Sequence, residues 1–252
     1  GAPKAAADGA AAMQSVLEGA VADARALERG GVDGVLVENF GDAPFHPDDV
    51  PKHTVAATTR AATAVADATT LPIGINVLRN DAEAAVSVAA AVDAAFVRVN
   101  VHTGARVTDQ GIVEGRAHET LRLRERLGVD VGIFADTDVK HSAPLTPEGY
   151  SAESFADATE RGLADAVVAS GSGTGAAIDR AALEAVVDER ERHGLETPVF
   201  VGSGVRPETI GDLLALADGV IVGTALKAAG ETTAPVDEER VATLVSRADD
   251  CR

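Results

Sequence analysis

The chain has 252 residues, with 22 Lys+Arg against 40 Asp+Glu, a formal net charge of −18, and 46% hydrophobic but only 3% aromatic residues. So acidic and aromatic-poor a surface repels nucleic-acid backbones, offers bases no stacking platform and disfavours anionic membranes. The lone Cys251 excludes an internal disulfide or a cysteine metal cluster. No apolar run approaches the ~18 residues of a spanning segment. No basic-then-apolar leader opens the chain, so a cytoplasmic protein is expected. Acid enrichment, 50 Ala, and 18 Arg against four Lys suit a salt-rich, screening cytoplasm.

An Ala-rich start leads into helical spacing over residues 13–29. Short Val/Ile-rich runs then recur: Gly34-Val-Leu-Val-Glu-Asn39, Pro72-Ile-Gly-Ile-Asn-Val-Leu78, Phe96-Val-Arg-Val-Asn-Val101 and Val131-Gly-Ile-Phe-Ala-Asp136. Three more follow: Asp165-Ala-Val-Val-Ala-Ser170, Pro198-Val-Phe-Val-Gly-Ser203 and Gly219-Val-Ile-Val-Gly-Thr224. Between them lie helical patterns, at 83–91, 117–127, 151–161, 178–193, 207–216 and 237–246. Alternating strands and helices predict an α/β fold, a TIM (β/α)8-type parallel barrel, as one domain over 1–252. Seven strands are evident where eight are expected. The reading is a chain lacking its first strand, N-terminally truncated. An open seven-stranded sheet, or a homo-oligomer whose partner covers the bare edge, is the alternative.

In such barrels the C-terminal strand ends and the loops beyond them carry the chemistry. If Glu38 points inward, alternation also turns Leu36, Gly74, Asn76, Phe96, Arg98, Asn100, Phe134, Asp136, Val168 and Ser170 inward. A guanidinium there requires carboxylate or anion partners, and Glu38 and Asp136 lie at similar depth. Glu38, Asp136, Lys140 and Arg98 are the candidate catalytic residues. Asn39, Asn76, Arg79, Asn100, Asp109, Gln110, His141 and Ser170 are the candidate substrate-binding residues. The glycines of Val201-Gly-Ser-Gly-Val205, before a helix expected near Pro207, and of Ile221-Val-Gly-Thr-Ala-Leu226 let backbone N–H groups approach an anion. Gly202, Ser203, Gly204, Gly223 and Thr224 therefore form the expected phosphate site. Ser172, within Ser170-Gly-Ser-Gly-Thr-Gly175, extends it. Against so acidic a background, Arg98, Lys140 and Lys227 are the cations expected to attract the phosphate. A polar insert over 102–115 suits a lid, and a second follows Asp136. No cofactor is required, although Glu38 and Asp136, with Asp109, could hold Mg²⁺ beside a phosphate.

The stretch Gly30-Gly-Val-Asp-Gly-Val-Leu-Val-Glu-Asn-Phe-Gly-Asp-Ala-Pro-Phe45 resembles the BtpA family, which includes the SgcQ-type proteins. The likeness continues through Pro72–Asp81, Val107-Thr-Asp-Gln-Gly-Ile-Val-Glu-Gly115, Val139-Lys-His-Ser-Ala-Pro-Leu145 and the glycine loops. It implies a TIM barrel related to phosphate-binding barrels such as phosphoribosylanthranilate isomerase. The family takes its name from a thylakoid-associated cyanobacterial factor needed for photosystem I accumulation. Other members occur in organisms without photosystems. Members normally open with a strand and a Gly-Met-Ile/Val-His-Leu…Pro-Leu-Pro-Gly-Ser/Ala-Pro segment, of which Gly1-Ala-Pro3 resembles the tail.

Two functions are therefore expected to compete. One is an enzyme acting on a small phosphorylated metabolite, a sugar phosphate or nucleoside-derived phosphate, by isomerisation, lyase chemistry or phosphate-ester hydrolysis. The other is a non-catalytic biogenesis or stability factor for a membrane complex such as photosystem I.

Overall fold

The computed structural model describes residues 9–137, 142–145, 154–171 and 178–251. The strands are β1 (Val35–Glu38), β2 (Ile73–Asn76), β3 (Phe96–Val99), β4 (Ala105–Thr108), β5 (Gly111–Glu114), β6 (Gly132–Asp136), β7 (Ser142–Pro144), β8 (Ala166–Ala169), β9 (Val199–Val201) and β10 (Gly219–Val220). The helices are α1 (Gly9–Gly30), α2 (Lys52–Ala66), α3 (Ala82–Ala91), α4 (Ala117–Leu127), α5 (Ser154–Ala156), α6 (Arg180–Arg192), α7 (Ile210–Leu214) and α8 (Glu238–Asp249). A π-helical turn, Asp157–Arg161, continues α5. Seven strands form one all-parallel sheet in the order β1-β2-β3-β6-β8-β9-β10. This is the βα succession read from the seven Val/Ile runs, and it makes the protein a TIM-barrel-type fold, with seven parallel strands among the described residues.

The outward side chains of the sheet carry the helices. Ile75, Val97, Ile133, Val167 and Val199 are wholly buried, packed in one core with Ala and Val from α2 and α3 and with Leu183 of α6. Alternate residues face inward, where rings fill the barrel floor. Phe96 stacks on Phe134 at 4.4 Å between centroids, and Phe134 lies 5.1 Å from Phe200. Those last two rings come from β6 and β9, which have β8 between them. A flat sheet would hold such strands about 9.5 Å apart, so the ring contact measures how strongly this sheet curls. Two glycines make room: a Cβ at Gly74 would sit 2.2 Å from the Phe96 ring, and one at Gly219 2.5 Å from Phe200.

Helix boundaries follow local chemistry. Asp81, Asp179 and Asp237 accept hydrogen bonds from backbone N–H groups in the first turns of α3, α6 and α8. Gly128 closes α4 in the left-handed conformation. Two expectations change here. The segment after β9 runs through a turn held by Thr209 on Arg206, and its helix starts only at Ile210 and is five residues long. The insert over 102–115 is an antiparallel hairpin, β4–β5, whose β4 also pairs with β7 from the loop after β6. Val113 of this three-stranded sheet and Val101 form a small core of their own.

Candidate active site at the barrel mouth

Parallel pairing aligns the strand ends. Glu38 is the register partner of Asn76, and Arg98 pairs with Phe134, so Asp136 stands one inward position beyond Arg98's own partner. The long guanidinium reaches up to it. Arg98 Nε donates to Asp136 Oδ1 at 2.9 Å and Nη2 to Oδ2 at 3.0 Å, a bidentate pair with side chains 7% and 2% exposed. Nη2 also lies 3.5 Å from Ser170 Oγ. Asn100 Nδ2 donates to Asp136 Oδ2 at 2.9 Å, and Asn76 Nδ2 reaches Asn100 Oδ1 at 3.3 Å and the Arg98 carbonyl at 3.1 Å. Five of the expected site residues thus form one buried chain, Asn76–Asn100–Asp136–Arg98–Ser170.

Burial works against the Arg98 charge. The Asp136 carboxylate, its hydrogen bonds and the charge of Glu38 outweigh that penalty and hold the guanidinium pKa above its ordinary value. Asp136 accepts three N–H donors, so most of its acceptor capacity is committed to Arg98 and Asn100. Magnesium at Asp136 would stand beside the Arg98 guanidinium and compete with it for the same carboxylate, a poor fit for the ion. Among the described residues no group of three or more His, Cys, Asp or Glu is arranged to hold a metal. Asn76 Oδ1 is buried without a hydrogen-bond partner, and the bonds of Arg98 to Asp136 and Ser170 use Nε and Nη2, the edge of the guanidinium away from Nη1.

Opposite lie the glycine loops. A Cβ at Gly202 would sit 2.6 Å from Ser170 Oγ and 3.0 Å from Arg98 Nη2, so glycine lets the backbone after β9 approach the hydroxyl and the guanidinium closely. Ser203 is buried and its Oγ accepts the Gly171 N–H at 2.6 Å. Gly204 has φ +70°, a left-handed turn suited to glycine. A Cβ at Gly223 would meet nothing within 4 Å, and Thr224 Oγ1 is 3.1 Å from Thr232 Oγ1.

Other expected residues lie apart from this centre. Asn39 is locked, its Oδ1 accepting the Leu78 N–H and its Nδ2 donating to Asp42. Asp109 and Gln110 form the lid's tip and meet Arg79, at 3.9 Å and 3.3 Å. Arg79 also stacks over Phe45, 5.2 Å from the ring centroid. Lys227, expected to attract phosphate, is instead paired with Asp23 of α1. Lys140, His141 and Ser172 lie outside the described residues.

His102 ends the β3 run but turns away from the mouth. It is 1% exposed, with Nε2 2.7 Å from the Gly162 carbonyl and Nδ1 unpartnered. Burial pushes its pKa below the ordinary value, against the pull of the Gly162 hydrogen bond. The folded state therefore binds fewer protons than the unfolded one as pH falls from about 6.5 towards the folded pKa, and stability is lost over that window. One proton sets a ceiling of about 1.4 kcal/mol per pH unit. Urea unfolding at pH 7.5 and 5.5 should show a larger loss for the parent than for His102→Gln; parallel losses would refute this.

Comparison with known proteins places this geometry. The sequence profile of the BtpA family matches residues 3–250. The chain is 46% identical over 242 residues to an uncharacterised protein of Thermococcus kodakarensis, covering 95% of this chain and 88% of that one. It is 44% identical over 234 residues to the photosystem I biogenesis protein BtpA of Synechocystis sp., covering 92% and 79%. Among solved structures, the fold superposes on phosphoribosyl anthranilate isomerase from Thermus thermophilus with a TM-score of 0.58 at 16% identity, covering 92% and 95%.

Proposed function

The chain belongs to the BtpA family, and we propose that it is an enzyme acting on a small phosphorylated metabolite at the mouth of its barrel. The observation that carries this reading is the Arg98 guanidinium, buried at the strand ends, braced from behind by Asp136 and close against the Gly202 backbone. A cation held at one edge by a bidentate carboxylate is a pre-positioned donor for an anion arriving at the other. Apolar filling would be the simpler way to build a barrel interior. The phosphate would rest on the backbone of Gly202–Gly204 and Gly223–Thr224, with Ser203 fixing the first loop. The short α7 leaves backbone amides and Arg98, rather than a helix dipole, as the main attraction.

Within the network, roles divide by what each atom still has to offer. Asp136 is occupied and serves to position Arg98 and Asn100. Glu38 is half-buried beside Asn76 and is the group for proton transfer. Asn76 Oδ1 would accept a ligand hydroxyl, the partner it otherwise lacks. Arg79, with Asp109 and Gln110, ties the lid to the mouth.

Calorimetric titration with sugar phosphates and their dephosphorylated counterparts tests the reading. Phosphorylated members should bind about tenfold or more tightly than their counterparts, and no response to any phosphorylated compound would overturn it. The second reading, a biogenesis factor, is favoured by the name of the Synechocystis relative. Complementation of a strain lacking that relative by a Glu38→Gln chain as well as by the parent would favour it over catalysis. Among the described residues no helix is long and apolar enough to cross a membrane.

A further inference from the structure

Four of the six phenylalanines have structural places: Phe96, Phe134 and Phe200 fill the barrel floor, and Phe155 is wholly buried in the outer core. The remaining two, Phe40 and Phe45, stand in the segment between β1 and α2, with rings 6.3 Å apart, and Phe40 is 40% exposed. In a chain with 3% aromatic residues, this placement calls for a reason.

A cavity of about 420 Å³ lies against this segment. Phe45, His46 and His53 supply flat rings to its lining, with Pro44, Pro51 and Leu78 as apolar walls. Asn39, which directly follows β1, and Leu78, two residues past the end of β2, are also in the lining, just beyond the pair Glu38 and Asn76. The cavity therefore belongs to the same end of the sheet as the Arg98 network. Its volume lies within the range of small-molecule sites.

The charge pattern separates it from the phosphate site. Asp42 contributes a carboxylate to the lining and no lining residue is Arg or Lys; the neighbouring Arg79 guanidinium is engaged on the Phe45 ring, 5.2 Å from its centroid. Such a cavity disfavours a phosphate and favours a flat group with N–H donors, which aromatic faces can stack on and a carboxylate can accept from. We infer that this cavity is the subsite for a planar, N–H-bearing heteroaromatic ring, so that the phosphorylated ligand is of nucleotide type. This rests on the reading of the barrel mouth as a phosphate site and specifies what the phosphate is attached to.

Calorimetry with adenosine 5′-monophosphate, cytidine 5′-monophosphate and ribose 5-phosphate separates the two ideas. At least one nucleotide should bind roughly tenfold or more tightly than ribose 5-phosphate, the worth of one ring stack. Phe45→Leu should bring that nucleotide down to the ribose 5-phosphate level while changing ribose 5-phosphate itself by no more than about twofold. His53→Ala, at an exposed position in the first turn of α2, should do the same without risk to folding. Equal affinity for all three compounds, or a nucleotide preference that survives both substitutions, overturns the ring subsite and leaves the phosphate reading standing. Binding of none of the three overturns both.

Discussion

Asp136→Ala should lower the unfolding free energy by about 3–5 kcal/mol, because it strands a buried guanidinium. Arg98 is 7% exposed, and apart from the distant Ser170 hydroxyl its hydrogen bonds go to Asp136. Asn100 Nδ2 would lose its acceptor in the same step. Denaturant unfolding reads the effect directly. The control is the double replacement Arg98→Met with Asp136→Leu, which removes both charges together. That variant should recover most of the stability, since a well-packed apolar pair often matches a buried ion pair, yet it should bind no phosphorylated ligand. A single variant as stable as the parent would show that the ion pair is not the bracing described above. A double variant that still binds would remove Arg98 from the site.

The second large effect is expected at Gly202. In Gly202→Ala the new methyl would lie 2.6 Å from both Ser170 Oγ and a Val168 methyl, and 3.0 Å from Arg98 Nη2. Distances under 3.0 Å force movement, and overpacking of this kind costs about 1–3 kcal/mol. The larger consequence is for the ligand, because the methyl would push the Ser170 hydroxyl and the Arg98 guanidinium out of position. Binding of inorganic phosphate should fall about tenfold or more, measured by titration at a temperature where the variant remains folded. Gly223→Ala is the contrast. Its Cβ would meet nothing within 4 Å, so it should leave stability unchanged. Unaltered phosphate binding in Gly202→Ala would move the anion away from the β9 loop.

How far the residues announce this site depends on the range of the interaction. Alternation along a strand is local, so the inward positions of Arg98, Asn100, Phe134 and Asp136 follow from spacing alone. The choice of Asp136 over Glu38 as the partner of Arg98 depends on strand order, which puts β6 beside β3 and leaves β1 two strands away. Strand spacing cannot express that. The lid was legible only as a polar insert, because β4 and β7 lie more than 30 residues apart and each is too short to declare its pairing. Lys227 looked like a site cation for its rarity, but its partner Asp23 is 204 residues away. His102 shared a strand end with mouth residues, and only the packing of Gly162 against it shows that it faces elsewhere. The ring-lined cavity had a trace in composition, since of the two phenylalanines close together in the β1 loop Phe45 lines it, and its weight appears only once the four core phenylalanines have structural places.

The lid's central strand has a consequence for traffic through the mouth. β4 carries ladder bonds on both edges, to β5 from its own hairpin and to β7 from the loop after β6. Arg106 strengthens the second edge by donating to Ser142 Oγ. Two loops that leave different strands of the barrel are thus stitched into one flap. Neither can move alone without breaking the ladder bonds it shares with the other, so on the proposed reading admission and release of a ligand would be one cooperative event rather than two. The flap's tip holds Arg79, which also covers Phe45. A movement of the flap would therefore be felt at the β1 loop as well, because both meet the same arginine.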